Sequence, residues 1–330
     1  MPPVVSAANL TKTYTVAVKQ SGFWGAVRGL WRPEKRAVDA VRGIDLHIER
    51  GEFVAFLGPN GAGKTTTLKL LSGIITPSAG TAQVLGHVPW LRENPFRRRF
   101  ALVMGQKNQL WWDLAAQESF RLHQEIYNIP PVDYQRNLDE LVELLGVGKL
   151  LTRPVRELSL GERMKMELIA SLLHSPEVLF LDEPTIGLDV VAQHNIQQFL
   201  KRYQQERGIT ILLTSHYMKD IAALCRRVII IAQGKIIHDG SLADIVETFS
   251  GHKLVTLELA EEPATARLAE YGEVQELRMP MARLKIPRDE VPARLAKLLS
   301  ELRVADVSVE DPPLEDVIAL VFAQAEAEGG

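Results

Sequence analysis

A single cysteine, Cys225, occurs in the 330-residue chain, so no intrachain disulfide can form, as expected of a protein in a reducing compartment. Ile221 and Leu224 share helical spacing with it, and a buried core thiol is the plain reading. Long apolar runs are also missing. Stretches such as 178–181 and 228–232 fall far short of the roughly 18–20 residues that a bilayer-spanning helix needs, so the chain is not expected to cross a membrane itself. No basic segment followed by an apolar one opens the sequence. Met1-Pro2-Pro3 leads directly into a strand-like run, and a cleaved export signal is not expected. Solenoid repeats and low-complexity tracts are absent.

Neither charge is in large excess. The net charge is −3, but residues 1–250 carry 29 Lys/Arg against 25 Asp/Glu, while 251–330 carry 9 against 16. An acidic tail makes nucleic acid a poor partner, and none is expected. Apolar residues at 46% and charged residues at 24% are in globular proportion. The length suffices for one large α/β domain and one small one.

Periodicity sets the order of elements. Residues 4–10 and 14–18 read as short strands, and 40–56 gives more strand signal broken by a turn at Arg50-Gly51-Glu52. A buried strand at 53–57, a glycine-rich loop and a helix at 64–72 then begin an α/β core. Residues 107–175 read as an inserted helical subdomain, with helices at 118–128, 134–145 and 160–174. Strands at 178–181, 209–214 and 228–232 alternate with helices at 190–206 and 218–225, which argues for a parallel sheet closing near 250. The rhythm restarts beyond it. Residues 1–250 are therefore expected to form the large domain, and 251–330 a small α+β one.

The segment Gly58-Pro59-Asn60-Gly61-Ala62-Gly63-Lys64-Thr65 matches G-x-x-x-x-G-K-[ST] between a buried strand and a helix, the context that the motif requires. Its glycines let the backbone wrap round phosphates so that N–H groups point inward, and the helix N-terminus behind adds positive potential. Gly58, Asn60, Gly61, Gly63 and Thr66 are thus expected at the phosphates of ATP, with Lys64 reaching the β- and γ-phosphates and Thr65 ligating Mg²⁺. Downstream, an apolar strand ends in Asp182-Glu183. A solvated strand end is the plainer reading of two terminal acids alone, but beside a P-loop they have work to do. Asp182 suits coordination of Mg²⁺, and Glu183 can polarise the attacking water. Neighbours on a strand point oppositely, so the two divide these roles.

Ahead of that strand, Leu158-Ser159-Leu160-Gly161-Glu162 resembles the LSGGQ signature that separates ABC (ATP-binding cassette) ATPases from other P-loop proteins. The family's other marks occur in order. Gln106 after Leu102-Val103-Met104 resembles the Q-loop, Gly187-Leu188-Asp189 the D-loop, and His216 after Leu213-Thr214-Ser215 the switch histidine. The resemblance covers about residues 4–245. It implies an α/β P-loop core with an antiparallel β section and a helical subdomain. It also implies that Gln106 serves both metal and catalysis, that His216 touches the γ-phosphate or Glu183, and that Tyr14 stacks on adenine.

The same resemblance implies a head-to-tail homodimer, or a pair with another ABC ATPase. Each ATP would lie between the P-loop of one subunit and Ser159 and Gly161 of the other, with Asp189 nearby. Leu160 and Glu162 depart from the usual glycine and glutamine, while Ser159 and Gly161 keep the needed donors. Ser159 with Glu162 three residues on is also a capping box, compatible with an anion site.

Longer-range similarity runs through Gln109–Leu114, Pro184–Val191 and the tail around Pro313–Val317. Here the chain is similar to daunorubicin-resistance-type exporter ATPases. Such subunits serve a separate transmembrane permease from the cytoplasmic face of the inner membrane, as peripheral proteins. Trp111-Trp112 stands where the family meets its membrane partner, and at least one ring is expected outward. Residues 19–36 are basic and amphipathic, fitting either the inner leaflet and its partner or the protein's own surface. A soluble relative acting on DNA or ribosomes would show a long coiled-coil insertion, a second cassette or a basic face, and an importer subunit a longer C-terminal barrel.

Overall fold

The computed structural model describes residues 2–18, 34–105, 107–215, 218–260 and 265–328. Gln106, His216 and residues 19–33 lie outside them. The chain divides into two compact units, Met1–Asp239 and Gly240–Gly330.

The first unit opens with strands β1 (Val5–Val18), β2 (Glu34–Ile48) and β3 (Phe53–Leu57), then helix α1 (Lys64–Leu71) and strand β4 (Ala79–Val84). An antiparallel sheet of order β2-β1-β4 forms from three of these. Its β1 is one continuous strand where the sequence suggests two. Register shifts between Ala7 and Thr13 absorb the polar interruption, with Asn9 at φ 50°. Strand β4 escapes prediction because Ala79-Gly80-Thr81 carries no apolar alternation.

Next come α2 (Asn94–Arg97), β5 (Phe100–Met104), α3 (Ala116–Tyr127), α4 (Pro131–Leu145), α5 (Leu160–Leu172) and β6 (Val178–Asp182). They are followed by α6 (Val190–Arg207), β7 (Thr210–Ser215), α7 (Met218–Leu224), β8 (Arg227–Ala232) and β9 (Lys235–Ser241). Six strands make the central sheet, in the order β5-β6-β7-β3-β8-β9. Every residue of β3, β6 and β7 is buried, as in a parallel sheet covered on both faces. Parallel register pairs Leu57 with Ser215, Asp182 with Thr214 and Met104 with Asp182. The C-terminal strand ends therefore align along one edge, where ligands of such sheets bind.

The inserted subdomain holds α3, α4 and α5, helices whose inward faces include Phe120, Leu141 and Leu168. Helix α4 starts on Pro131 and stops at Gly146 in the left-handed region, φ 65°. Residues 107–115 are a turn-rich strap instead of helix.

The second unit contains α8 (Leu242–Phe249), β10 (His252–Leu259), α9 (Thr265–Leu268), β11 (Glu273–Arg278), β12 (Met281–Pro287), α10 (Val291–Glu301), β13 (Val304–Glu310) and α11 (Leu314–Glu328). An antiparallel sheet of order β11-β12-β10-β13 buries Val255, Leu257, Leu284 and Ile286 with Tyr271 and Leu298. Helix α8 packs on α11. That contact assigns 240–250 to the second unit, ahead of the boundary expected at 250. Among the described residues no helix is long and apolar enough to cross a membrane.

Candidate active site

Strand β3 runs into the glycine loop at its buried end. A Cβ on Gly58 would meet the Ile231 carbonyl oxygen at 2.1 Å, and Gly63, at φ 108°, leaves 2.4 Å to that of Ala40. Side chains at either position would wedge the loop off β8 or β2. Asn60 and Gly61 stand exposed at its crown. A tight backbone at a helix start fits a polyphosphate by its donors.

Lys64 is 5% exposed. Its ammonium donates to the carbonyls of Gly58 (2.6 Å) and Pro59 (3.1 Å). Burial lowers its pKa, while the charges of Glu183 and Asp182 pull it back up. Beside it the Thr65 hydroxyl donates to Asp182 Oδ1 at 2.8 Å. Thr66, half-buried, completes the first turn of α1. A hydroxyl and a carboxylate in contact form a hard oxygen pair, the donor type that Mg²⁺ prefers.

Thr214 was not foreseen. Its hydroxyl donates to Asp182 Oδ1 at 2.7 Å and accepts from the Glu183 N–H at 3.1 Å. One buried side chain thus sets both acids. The available signal was a polar residue near the end of an apolar strand, in Leu213-Thr214-Ser215. Strand alternation does not separate Asp182 from Glu183 as expected. Strand β6 ends on Asp182, and Glu183 turns away at φ 52°, a left-handed conformation unusual outside glycine.

Gln106 and His216 lie outside the described residues, but their neighbours belong to this edge. The Gly105 N–H donates to the Asp182 carbonyl at 2.9 Å, and Ser215 is in register with Leu57. Tyr14 is 37% exposed and pairs with Val38, two residues from the Ala40 carbonyl that packs on Gly63. The Lys12 ammonium lies 5.3 Å from its ring centroid.

Ser159 caps α5. Its hydroxyl accepts from the Glu162 N–H (3.3 Å), and the Glu162 carboxylate accepts from the Ser159 N–H (2.8 Å). That backbone bond holds the Glu162 carboxyl below its usual range. Asp189 caps α6 by accepting from the Ala192 N–H at 2.8 Å. The two helix starts touch, since a Cβ on Gly161 would stand 2.8 Å from that of Ala192. Beyond the site, Trp111 (56%) and Trp112 (46%) are both exposed.

Residues 41–186 match the family model described as ABC transporter, and 251–310 match that of an EvrA-like ABC transporter C-terminal domain. The ABC transporter ATP-binding protein NatA of Bacillus subtilis is 32% identical over 218 residues, 66% of this chain and 88% of the relative. The Nod factor export ATP-binding protein I of Burkholderia thailandensis is 35% identical over 248 residues, 74% of this chain and 81% of the relative. The linearmycin resistance ATP-binding protein LnrL of Bacillus subtilis is 31% identical over 217 residues, 66% and 69%. A solved ATP-binding subunit of an ABC transporter superposes with TM-score 0.62 at 26% identity, over 74% of this chain and 93% of that one. A dimeric cassette holding ADP and phosphate shares the fold at TM-score 0.60 and 22% identity, over 72% and 98%. The glycine loop, the acidic strand end and the capped signature helix, together with relatives matched over most of their length, place the chain in the ABC transporter family as an ATP-binding and ATP-hydrolysing subunit.

Proposed function

We propose that the chain powers a membrane exporter whose permease is a separate polypeptide, working head to tail with a second copy around two ATP molecules. The observation that carries this reading is the Lys64–Thr65–Asp182 constellation next to Glu183. In it Gly58, Asn60, Gly61, Gly63 and Thr66 cradle phosphates, and Lys64 neutralises the β- and γ-oxygens. Thr65, Asp182 and Gln106 hold Mg²⁺, which supplies Lewis-acid stabilisation of phosphate charge. Glu183 polarises the attacking water, His216 steadies it against the γ-phosphate, and Tyr14 stacks on adenine. Ser159 and Gly161 close over the nucleotide of the partner copy, with Asp189 lining the seam.

Export is favoured by relatives named for Nod factor export and linearmycin resistance. A separate permease is favoured by the exposed Trp pair, which offers an apolar anchor at the subdomain edge. The chain would then sit on the cytoplasmic face of the inner membrane as a peripheral subunit. Tagged Glu183→Gln protein tests the whole reading. With ATP and Mg²⁺ it should elute as a dimer and carry a polytopic membrane protein out of detergent-solubilised membranes. A monomer that brings no membrane protein with it sinks the proposal.

A further inference from the structure

The strap of residues 107–114 changes its attachments along its length. Near the sheet, the Gly105 N–H donates to the Asp182 carbonyl and the Lys107 N–H to that of Met104, both at 2.9 Å. From Gln109 on, the attachments pass to the signature side. The Gln109 N–H donates to both Glu167 carboxylate oxygens (3.0 and 3.1 Å), and the Leu110 N–H donates to Oε1 at 3.4 Å. The Trp112 carbonyl accepts from the Arg156 N–H, and the Leu114 carbonyl from the Val155 N–H, each at 3.0 Å. The Arg163 guanidinium lies 5.3 Å from the Trp112 ring centroid. Two further bonds go elsewhere, from the Trp111 N–H to the Ser119 hydroxyl (3.1 Å) and from Gln109 Nε2 to the Leu102 carbonyl (3.0 Å).

Glu167, on α5, is a buried charged anchor of the strap, at 3% exposure. Its neighbours Met166, Leu168 and Ile169 are buried and apolar. A carboxylate in such surroundings persists only where donors meet it. Two successive backbone amides do so, and burial raises its pKa to about 7 against their pull and that of Arg163. Arg163 and Glu167 are one turn apart on the helix that Ser159 caps, and Glu167 lies about 12 Å along its axis from that cap at ~1.5 Å per residue.

We propose that Glu167 is a positioning residue that makes the strap travel with the signature helix, so that closure of Ser159 on a nucleotide is delivered to Trp111 and Trp112. Without it, the movement of α5 is not passed on to the strap. The inference rests on the nucleotide-clasping function proposed above, and adds to it a physical link from the signature to the Trp pair.

Emission from Trp111 and Trp112 reads this link in the full chain once Trp24, Trp31 and Trp90 are replaced by phenylalanine. With ATP and Mg²⁺ the emission should shift. Glu167→Gln should bind a fluorescent ATP analogue within about twofold of the parent, yet shrink the shift at least about threefold, since two amides lose their charged acceptor. Hydrogen exchange of the 109–111 amides, with and without ATP, reads the same link without the Trp replacements. Glu167→Ala serves as the second variant. A lowered melting temperature with a full-sized ATP response in either variant overturns the proposal, because Glu167 then only stabilises the fold. So does a parent that dimerises with ATP while its Trp emission stays unchanged. Failure of the parent to bind ATP or to dimerise overturns the nucleotide-clasping function itself, and the proposal with it.

Discussion

The Thr65 hydroxyl and the Asp182 carboxylate, 117 residues apart in sequence, are joined by a hydrogen bond of 2.8 Å. The helix start of the glycine loop is thereby fastened to the end of the acidic strand. Both oxygens belong to the pair proposed to hold Mg²⁺. Asp182→Asn should therefore lower turnover by about 10²-fold or more, the scale of a lost Lewis acid. ATP binding should weaken in Mg²⁺ yet match the parent in EDTA. Titration of a fluorescent nucleotide under both conditions decides it, and equal weakening in EDTA would assign Asp182 a purely structural part.

Glu183→Gln should retain ATP binding and reduce turnover by roughly 10²-fold, as expected for a lost general base. Lys64→Ala should instead weaken binding, because its ammonium is the buried cation at the loop. Steady-state hydrolysis alongside equilibrium binding separates the two, and parent-like turnover in the Glu183 variant removes it from the chemistry.

Thr214→Val keeps the shape of a buried residue and deletes the hydroxyl that serves Asp182 and the Glu183 N–H. Each group is left with one partner fewer. The expected cost is about 1–3 kcal/mol of stability from the lost bonds, with turnover down by roughly tenfold from misplacement of the acids. Urea midpoints and turnover should fall together.

Much of the site was legible because its residues lie in contiguous motifs. Glycines, Lys64 and Thr65 follow one another, and Asp182 and Glu183 end a wholly apolar run. Thr214 and Glu167 were not legible, since each matters only through a partner far away in sequence. Thr214 meets Asp182 by the register of β6 on β7, and Glu167 meets Gln109 by the packing of a strap on a helix. The same limit applied to the fold. Strands of continuous apolar residues such as β6 and β7 announced themselves, whereas β4, whose buried residues are only Ala82 and Val84, did not. The boundary expected at 250 falls instead ahead of helix α8, whose packing on α11 is a long-range contact that the sequence pattern does not announce.

His174 gives the fold an acid-sensitive point. Its Nε2–H donates to the Phe100 carbonyl at 3.1 Å, and its ring stacks on Tyr127 at 3.9 Å. Burial depresses its pKa to about 4, with the nearby His123 adding to the effect. Between the unfolded value of 6.5 and about 4, the unfolded chain binds a proton that the folded chain refuses. Stability is thus complete above the unfolded value and is lost as pH falls through this window, by about 3 kcal/mol in all. Urea midpoints should drop between about pH 6.5 and about pH 4, and His174→Phe, which preserves the stack, should flatten that drop. An unchanged slope would move the sensitivity to other groups.

The contact between the two helix starts yields a paired test. A methyl on Gly161 would stand 2.8 Å from the Ala192 Cβ, a separation that packed side chains do not tolerate, and neither group has a rotamer through which to yield. Gly161→Ala should therefore push α5 from the start of α6, costing about 1–3 kcal/mol as an overpacked contact does. It should also weaken ATP-driven dimerisation, since Ser159 moves with that helix end. Ala192→Gly opens the space at about 1 kcal/mol of helix propensity. The double variant should recover stability and dimerisation together, giving a coupling energy of favourable sign. Recovery of stability without dimerisation would mean that a methyl at Gly161 also obstructs the face that closes on the nucleotide, beyond its clash with Ala192.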